Sequence, residues 1–215
     1  MQKPKKPAPP RATYRHGDLQ HALLEAGIAL AREGGPDAVV LREATRRAGV
    51  APNAAYRHFA NHQALFDAVR MQALGALAGA IEREWAKALK VRGPKARAQA
   101  LLRAVGAGYL DFAQAETGLF RTAFVFGEHD VEVPPDPARA AALGLNPFEL
   151  LGAALDAMAA AGVLPAERRP GAEYLAWSAV HGMALLIIDG PLRAATTPER
   201  RALAERLLRM VENGL

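Results

Sequence analysis

Hydrophobic residues along the chain recur every three to four positions, which is the spacing of amphipathic helices. A first helix is predicted to start near Asp18, a good N-cap candidate, and to end at Gly34-Gly35-Pro36. Its buried stripe would consist of Leu19, Leu23, Ala26 and Leu30. A longer helix is predicted after Asn61 and ends before Gly93-Pro94. Its apolar side would consist of Phe66, Val69, Ala73, Leu77, Ile81 and Trp85.

The same spacing continues through the second half of the chain. Asn146 and Thr197 are the predicted N-caps of two of its helices, with Pro147 and Pro198 at their first positions. The predicted segments lie around Leu101 to Phe112, Thr117 to Phe126, Pro147 to Gly162, Gly171 to Asp189 and Thr197 to Asn213. The sequence shows neither the alternation typical of strands nor a repeat. We therefore predict an all-α chain of about nine helices.

The stretch from Leu41 to Phe59 predicts two short helices joined by a tight turn. Gly49 can adopt a left-handed conformation past the end of the first helix, and Pro52 suits the first turn of the second. The first helix would bury Leu41, Ala44 and Ala48 and leave Arg42, Arg46 and Arg47 outward. The second would pack Ala55 and Phe59 inward and leave Asn53, Ala54, Tyr56, Arg57 and His58 at least partly exposed. This describes a helix-turn-helix with its recognition helix, although ordinary helix pairs show the same bare pattern.

The distribution of charge supports the DNA-binding interpretation. The chain has a net charge of +5, and residues 1–62, with 10 Lys and Arg against 5 Asp and Glu, carry all of that excess. Such a patch attracts phosphate backbones or acidic surfaces, while a solvated basic surface is the simpler alternative. Residues 1–15 contain four prolines and no acid, so we expect a disordered arm that either follows DNA or only aids solubility.

Composition excludes several other classes. The 215 residues include no cysteine, which rules out disulfides and thiolate chemistry. No signal peptide is visible, and the longest apolar run, Leu175 to Ile188, is too short to span a bilayer, so we expect a cytoplasmic protein without a membrane partner. No phosphate loop, nucleophile elbow or paired-carboxylate motif appears, so the sequence indicates neither an enzyme nor a cofactor. The acidic loop from Gly127 to Pro137 lacks metal-ligand spacing, and no metal site is predicted.

The order of the predicted helices and the motifs of residues 17–69 resemble those of a known protein family. Ala48-Gly49-Val50, Tyr56-x-His58-Phe59 and Leu65-Phe66 resemble the tetracycline-repressor (TetR) family of transcriptional regulators. Trp177-x-x-x-His181-Gly182 is similar to a signature in the C-terminal domains of one subgroup of that family. The resemblance implies a homodimer that binds a near-palindromic operator and is released from it by a small molecule. It also implies a helix-turn-helix domain over residues 16–62 and a helical ligand-binding and dimerisation domain over 63–215.

The resemblance also assigns roles to individual residues. Tyr56 and His58 match positions that touch phosphates, Asn53 and Ala54 match the part of the recognition helix that faces bases, and His62 stands where the family usually has a lysine. Arg42 and Arg57 would add positive charge, and Pro52 would open the recognition helix. Val40 and Ala51 stand where hydroxyl residues usually cap helices two and three, which would weaken both capping and phosphate binding.

Aromatic residues are concentrated in the second half of the chain and predict an apolar ligand pocket. The candidates are Tyr109, Phe112, Phe120, Phe124, Trp177 and His181. Ordinary core packing, with a satisfied buried histidine, is the alternative for each residue. Three hypotheses result: a ligand-responsive repressor, a nonspecific or architectural DNA binder, and a helical small-molecule-binding protein with a vestigial DNA head.

Overall fold

The computed structural model describes residues 16–125 and 137–215. Over these residues the fold is all-helical, as predicted, with nine α-helices and no strand. The helices are α1 (His16–Gly34), α2 (Leu41–Arg47), α3 (Pro52–Ala55), α4 (His62–Ala88), α5 (Pro94–Ala115), α6 (Thr117–Ala123), α7 (Pro147–Ala160), α8 (Ala172–Ile188) and α9 (Thr197–Gly214). Short 3₁₀ turns lie at Pro36–Ala38, Pro137–Arg139, Ala166–Arg168 and Pro191–Ala194.

Two predicted helix starts are confirmed and two are wrong. The Asn61 side chain accepts from the backbone N–H of Ala64, and Asn146 forms a capping box with Glu149. However, α1 begins at His16, so Asp18 lies inside the helix. The N-cap of α9 is Thr196, not Thr197, because only Thr196 stands three residues before Glu199 and can complete a capping box with it.

The longest helix, α4, lies at the centre of the packing and contacts α1, α5, α6 and α7. By length and composition alone α4 could cross a membrane, but Leu77 and Ile81 are fully buried, so it is the core helix of this fold. Gly108 lets α5 approach α4 closely, since a Cβ there would lie 2.6 Å from the Cα of Ile81. A single hydrophobic core therefore extends from Leu23 in α1 to Val211 in α9.

The predicted helix from Thr117 to Phe126 is shorter than expected. α6 ends at Ala123, and Phe126 lies outside the described residues. Most of the acidic loop from Gly127 to Pro137 also lies outside them, as does the basic arm over residues 1–15.

Candidate DNA-binding head and ligand cavity

The segment from Leu41 to Phe59 folds as two short helices joined by a turn. Gly49 at the turn has a φ of 68°, a left-handed conformation that favours glycine. Ala44, Ala55 and Phe59 are buried between the helices, as the spacing predicts. Val40 and Ala51 are the N-caps of α2 and α3, and neither side chain makes a capping hydrogen bond.

The outer side of α3 carries the polar groups predicted to meet DNA. Tyr56 is 57% exposed, Asn53 and Arg57 are also exposed, and Ala54 and His58 are half-buried. The side chain of Pro52 lies outside the described set. The recognition segment is short, because the α-helix ends at Ala55 and the chain continues as a turn through His58.

The four arginines between Leu41 and Phe59 fall into two groups. Arg47 forms ion pairs with Glu33, at 2.7 Å, and with Glu43, and Arg46 lies 2.6 Å from Glu43. The hydrogen bonds from Arg46 and Arg47 lower the pKa of Glu43 to about 2, so its carboxylate stays charged at neutral pH. Arg42 and Arg57 have no carboxylate partner within the part of the chain that the structure describes. Their guanidinium groups are therefore the available cations of the head.

His62, the first residue of α4, is exposed but already has a partner inside the head. Its Nε2–H donates to the backbone carbonyl of Val39, and its ring stacks on Phe66 with the centroids 6.3 Å apart. The hydrogen bond fastens the start of α4 to the connection between α1 and α2. A phosphate contact from His62 would have to come from its other ring nitrogen.

The second feature is a cavity of about 330 Å³ lined by the helices of the C-terminal half together with α4. Three of the predicted pocket residues, Tyr109, Phe124 and Trp177, lie in its wall. A cavity of this size with a mostly apolar wall is typical of small-molecule sites.

The other three predicted pocket residues pack behind the wall. Phe112 and Phe120 are buried in the core. The ring of His181 lies 5.0 Å from that of Phe124 and 5.7 Å from that of Phe120, measured between centroids. The structure thus brings five of the six candidate side chains, all except Phe112, into one aromatic cluster around Tyr109.

A hydrogen-bond chain runs through this cluster. The indole Nε1–H of Trp177 donates to the hydroxyl oxygen of Tyr109 at 3.1 Å, and the Tyr109 hydroxyl lies 2.7 Å from Nδ1 of His181. Burial raises the pKa of Tyr109 above its ordinary value and lowers the pKa of His181. Both groups are therefore held neutral, and a hydrogen bond joins the Tyr109 hydroxyl to Nδ1 of His181.

Comparison with known families decides the identity of the chain. Residues 23–69 match the family described as "Bacterial regulatory proteins, tetR family", and residues 102–211 match "Tetracyclin repressor-like, C-terminal domain". The second match alone covers half of the chain. The chain belongs to the TetR family. Members of this family are non-enzymatic transcription factors that bind DNA operators and small-molecule effectors, and they are soluble cytoplasmic proteins.

Solved structures agree with the TetR fold. A protein with unknown function from Rhodococcus sp. RHA1 is 26% identical, with a TM-score of 0.68 over 93% of this chain and 98% of that one. A putative tetR family transcription regulator from Shewanella sp. PV-4 is 19% identical, with a TM-score of 0.58 over 88% and 95%. The regulator FadR from Bacillus subtilis, solved in complex with stearoyl-CoA, is 12% identical, with a TM-score of 0.55 over 91% and 98%. No curated protein matches the chain.

In this TetR-family chain, sequence reasoning missed the polar part of the cavity wall. Arg70, Arg139 and Asn146 line the cavity together with the aromatic side chains. Arg70 offered a signal, because it is the lone charge between Asp67 and Glu82 in an otherwise apolar helix. Arg139 offered none, since it lies in a connection whose path cannot be read from periodicity. The described residues contain no cluster of three or more metal-ligating side chains.

Proposed function

We propose that this TetR-family chain is a homodimeric, cytoplasmic transcriptional repressor that a small molecule in the cavity releases from its operator. The observation that carries the proposal is that α4 is part of both the DNA-binding head and the cavity wall. α4 starts at His62, directly after the recognition segment, and eight residues later Arg70 lines the cavity, followed by Leu74. The hydrogen bond from His62 to Val39 joins the start of α4 to the head. A ligand that shifts α4 would therefore also move the head.

The same geometry supports a division of the chain into two domains. Residues 16–62 would form the DNA-binding domain, and residues 63–215 the ligand-binding and dimerisation domain. Within the head, Tyr56, Arg57, His58 and Arg42 would position the phosphates, and Asn53 would read bases. Ala54 would at most contact a thymine methyl. Few side chains would therefore read the bases directly, and DNA shape would contribute to specificity.

The Trp177, His181 and Gly182 pattern would place the chain in the subgroup that carries this C-terminal signature. Trp177 and His181 support that assignment because both hydrogen-bond to the hydroxyl of Tyr109 beside the cavity. Gly182 has a different role, because a Cβ at this position would meet no described residue within 4 Å. Its open face is suited to close contact with another subunit.

An apolar face on α8 supports the homodimer. Tyr174, Leu175, Leu185 and Leu186 are between 42% and 64% exposed and share this face with Gly182. On α9, Met210 is 60% exposed, while the buried positions are Leu208 and Val211. A second copy related by a two-fold axis would cover both helices and form a four-helix bundle.

The test is a DNA competition at fixed salt. Labelled promoter DNA from the protein's own locus is competed with unlabelled promoter and with random duplex. A strong preference for the promoter supports a sequence-specific regulator, and a compound that raises the melting temperature should also release the DNA. Equal competition would favour a nonspecific or architectural binder, and no binding to either duplex would favour a ligand-binding protein with a vestigial head.

A further inference from the structure

A dense group of positive charges surrounds the connection between α4 and α5. Residues 63–215 contain 17 Lys and Arg and 17 Asp and Glu, yet residues 87–97 contain five of these cations and no acid. The five residues, called the α4–α5 patch below, are Lys87, Lys90, Arg92, Lys95 and Arg97. Three of the six lysines of the chain lie in this patch, and the other three lie within residues 1–6. The patch is therefore a concentration of positive charge in a part of the chain that is otherwise net negative.

The five side chains of the patch are all exposed, and most of them have no counter-ion. Lys87 forms an ion pair with Glu84. No carboxylate among the described residues forms an ion pair with Lys90, Arg92 or Lys95. Their charges are therefore available to a partner, and they repel one another in the free protein.

The start of α5 makes this arrangement unfavourable in the free protein. The positive end of a helix dipole lies at its N-terminus, where acidic side chains are stabilising and cations are not. The first turn of α5 contains Lys95 and Arg97 and no acid. An anion bound to the patch would relieve both the repulsion among the cations and their conflict with the dipole.

The patch lies at the opposite end of α4 from the DNA-binding head. α4 begins at His62, directly after the recognition segment, and its 27 residues to Ala88 span roughly 40 Å. Exposed charges more than roughly 8 Å apart are largely screened from each other in physiological salt. A stretch of DNA bound at the recognition segment is therefore too far away to be attracted by the patch. The partner of the patch is a separate polyanion or a separate stretch of DNA.

The composition of the patch favours a phosphate backbone over a membrane surface. A helix that binds a membrane surface buries an apolar face in addition to its basic residues. Leu89, 51% exposed, is the one large hydrophobic side chain that is exposed within residues 87–97, all of which the structure describes. Lys and Arg side chains bind the phosphates of duplex DNA without reading its sequence. Because TetR-family regulators bind DNA operators, duplex DNA is the polyanion closest at hand.

We propose that the α4–α5 patch binds the phosphate backbone of a second stretch of duplex DNA, while the head binds the first. A chain with both surfaces bridges two segments of DNA. The contact at the patch has no sequence preference and weakens steeply as salt is raised, because it depends on phosphate neutralisation alone. This activity goes beyond the repressor function and does not involve the ligand cavity.

The first test locates the contact through the lysines. The full chain is acetylated with sulfo-N-hydroxysuccinimide acetate in the presence and absence of a short random duplex, and the modified lysines are identified by mass spectrometry. We expect the duplex to protect Lys87, Lys90 and Lys95 at low salt, and we expect the protection to be lost at high salt. Unprotected patch lysines would overturn the proposal. Protection by phosphatidylglycerol vesicles without protection by the duplex would also overturn it, since the patch would then be a membrane-binding surface.

The second test measures bridging. The full chain is loaded onto promoter DNA attached to beads, and the capture of a labelled duplex without the promoter is measured at low salt. The double substitution Lys90→Gln and Lys95→Gln should lower this capture at least about tenfold and leave loading onto the promoter unchanged. Arg193→Gln with Arg201→Gln is the matched control, since it removes two exposed charges elsewhere in the C-terminal half. Equal capture by the wild type and the patch variant would contradict the proposal.

The patch variant should remain folded, because both substituted side chains are exposed. Its melting temperature at low salt should equal or exceed that of the wild type, since the substitution of Lys95 removes a cation from the first turn of α5. A loss of capture in this variant therefore reports lost binding and not unfolding.

The outcome can be separated from failure of the repressor function. Protection of the patch lysines by random duplex requires no promoter, and it should persist in Arg57→Ala, which changes only the head. Promoter preference with unprotected patch lysines would reject only the bridging activity. Protected patch lysines in a protein that does not distinguish promoter from random DNA would reject only the repressor.

Discussion

The hydroxyl oxygen of Tyr109 lies 2.7 Å from Nδ1 of His181, and the hydrogen bond between them joins α5 to α8 beside the cavity. Because the same oxygen accepts from the indole N–H of Trp177, removing it leaves two partly buried polar groups without this partner. We expect Tyr109→Phe to lower the free energy of unfolding by about 1–3 kcal/mol, measured by urea denaturation. The ring contacts with Phe120 and Phe124 would remain, so the loss reports the hydroxyl alone.

Tyr56→Phe is the matched control for this prediction. Tyr56 is 57% exposed in the DNA-binding head, and removal of an exposed hydroxyl should change stability by less than about 0.5 kcal/mol. Equal stabilities for the wild type and Tyr109→Phe would show that the hydrogen-bond chain contributes nothing to the fold.

The His181 environment predicts a pH dependence of stability. Burial lowers the pKa of His181 below its ordinary value of 6.5, so the unfolded chain takes up a proton here before the folded chain does. The contribution of neutral His181 is fully present above pH 6.5, and it is lost as the pH falls below that value. Thermal unfolding of the wild type between pH 8 and pH 5 should therefore show a decline that His181→Gln lacks. Parallel pH profiles for the two proteins would contradict this assignment.

The sequence predicted the aromatic cluster better than it predicted the cavity. Tyr109, Phe124 and Trp177 stand at helical spacing in apolar stripes, so their burial followed from periodicity. Periodicity does not show whether a buried helix face borders the cavity or packs against another helix. Phe112 and Phe120 have the same pattern as Phe124 yet are enclosed in the core, because the helix crossings decide which faces meet.

The polar features of both sites depended on contacts between distant segments. Arg139 lies near the cavity because its turn packs on α4, and His62 bonds to Val39 because α4 starts beside the connection between α1 and α2. Neither relationship has a sequence signature. By contrast, the Asn61 cap and the Gly49 turn depend on local backbone geometry, and both were predictable.

Arg57 should contribute affinity for DNA without sequence preference. It is exposed beside the recognition segment and has no carboxylate partner among the residues described, so its charge is available to a phosphate. We expect Arg57→Ala to weaken binding to promoter and random DNA about equally and to lower the salt slope by roughly 1 per head. Arg83→Ala, which removes an exposed charge from α4, should leave the slope unchanged. An unaltered slope in Arg57→Ala would exclude this residue from the phosphate contacts.

Asn53 should contribute discrimination between bases. It is the exposed side chain near the start of α3 that offers both a hydrogen-bond donor and an acceptor, the combination that recognises adenine. We expect Asn53→Ala to reduce discrimination by about 1–3 kcal/mol at one base pair in each half-site. The measurement is the relative affinity for all single-base variants of the promoter site. If their ranking were the same for the wild type and the variant, Asn53 would have no role in readout.

Leu186 provides the test of the homodimer. It is 45% exposed on the apolar α8 face, and a carboxylate placed there would be buried against the partner subunit. We expect Leu186→Glu to sediment as a monomer at concentrations where the wild type is a dimer, and to bind promoter DNA much more weakly because the two heads are no longer linked. Leu89→Glu is the control, since Leu89 is 51% exposed after the end of α4 and away from this face. Two glutamates buried between the α8 faces would prevent these faces from packing together. A Leu186→Glu protein that remained dimeric would therefore place the subunit contact elsewhere.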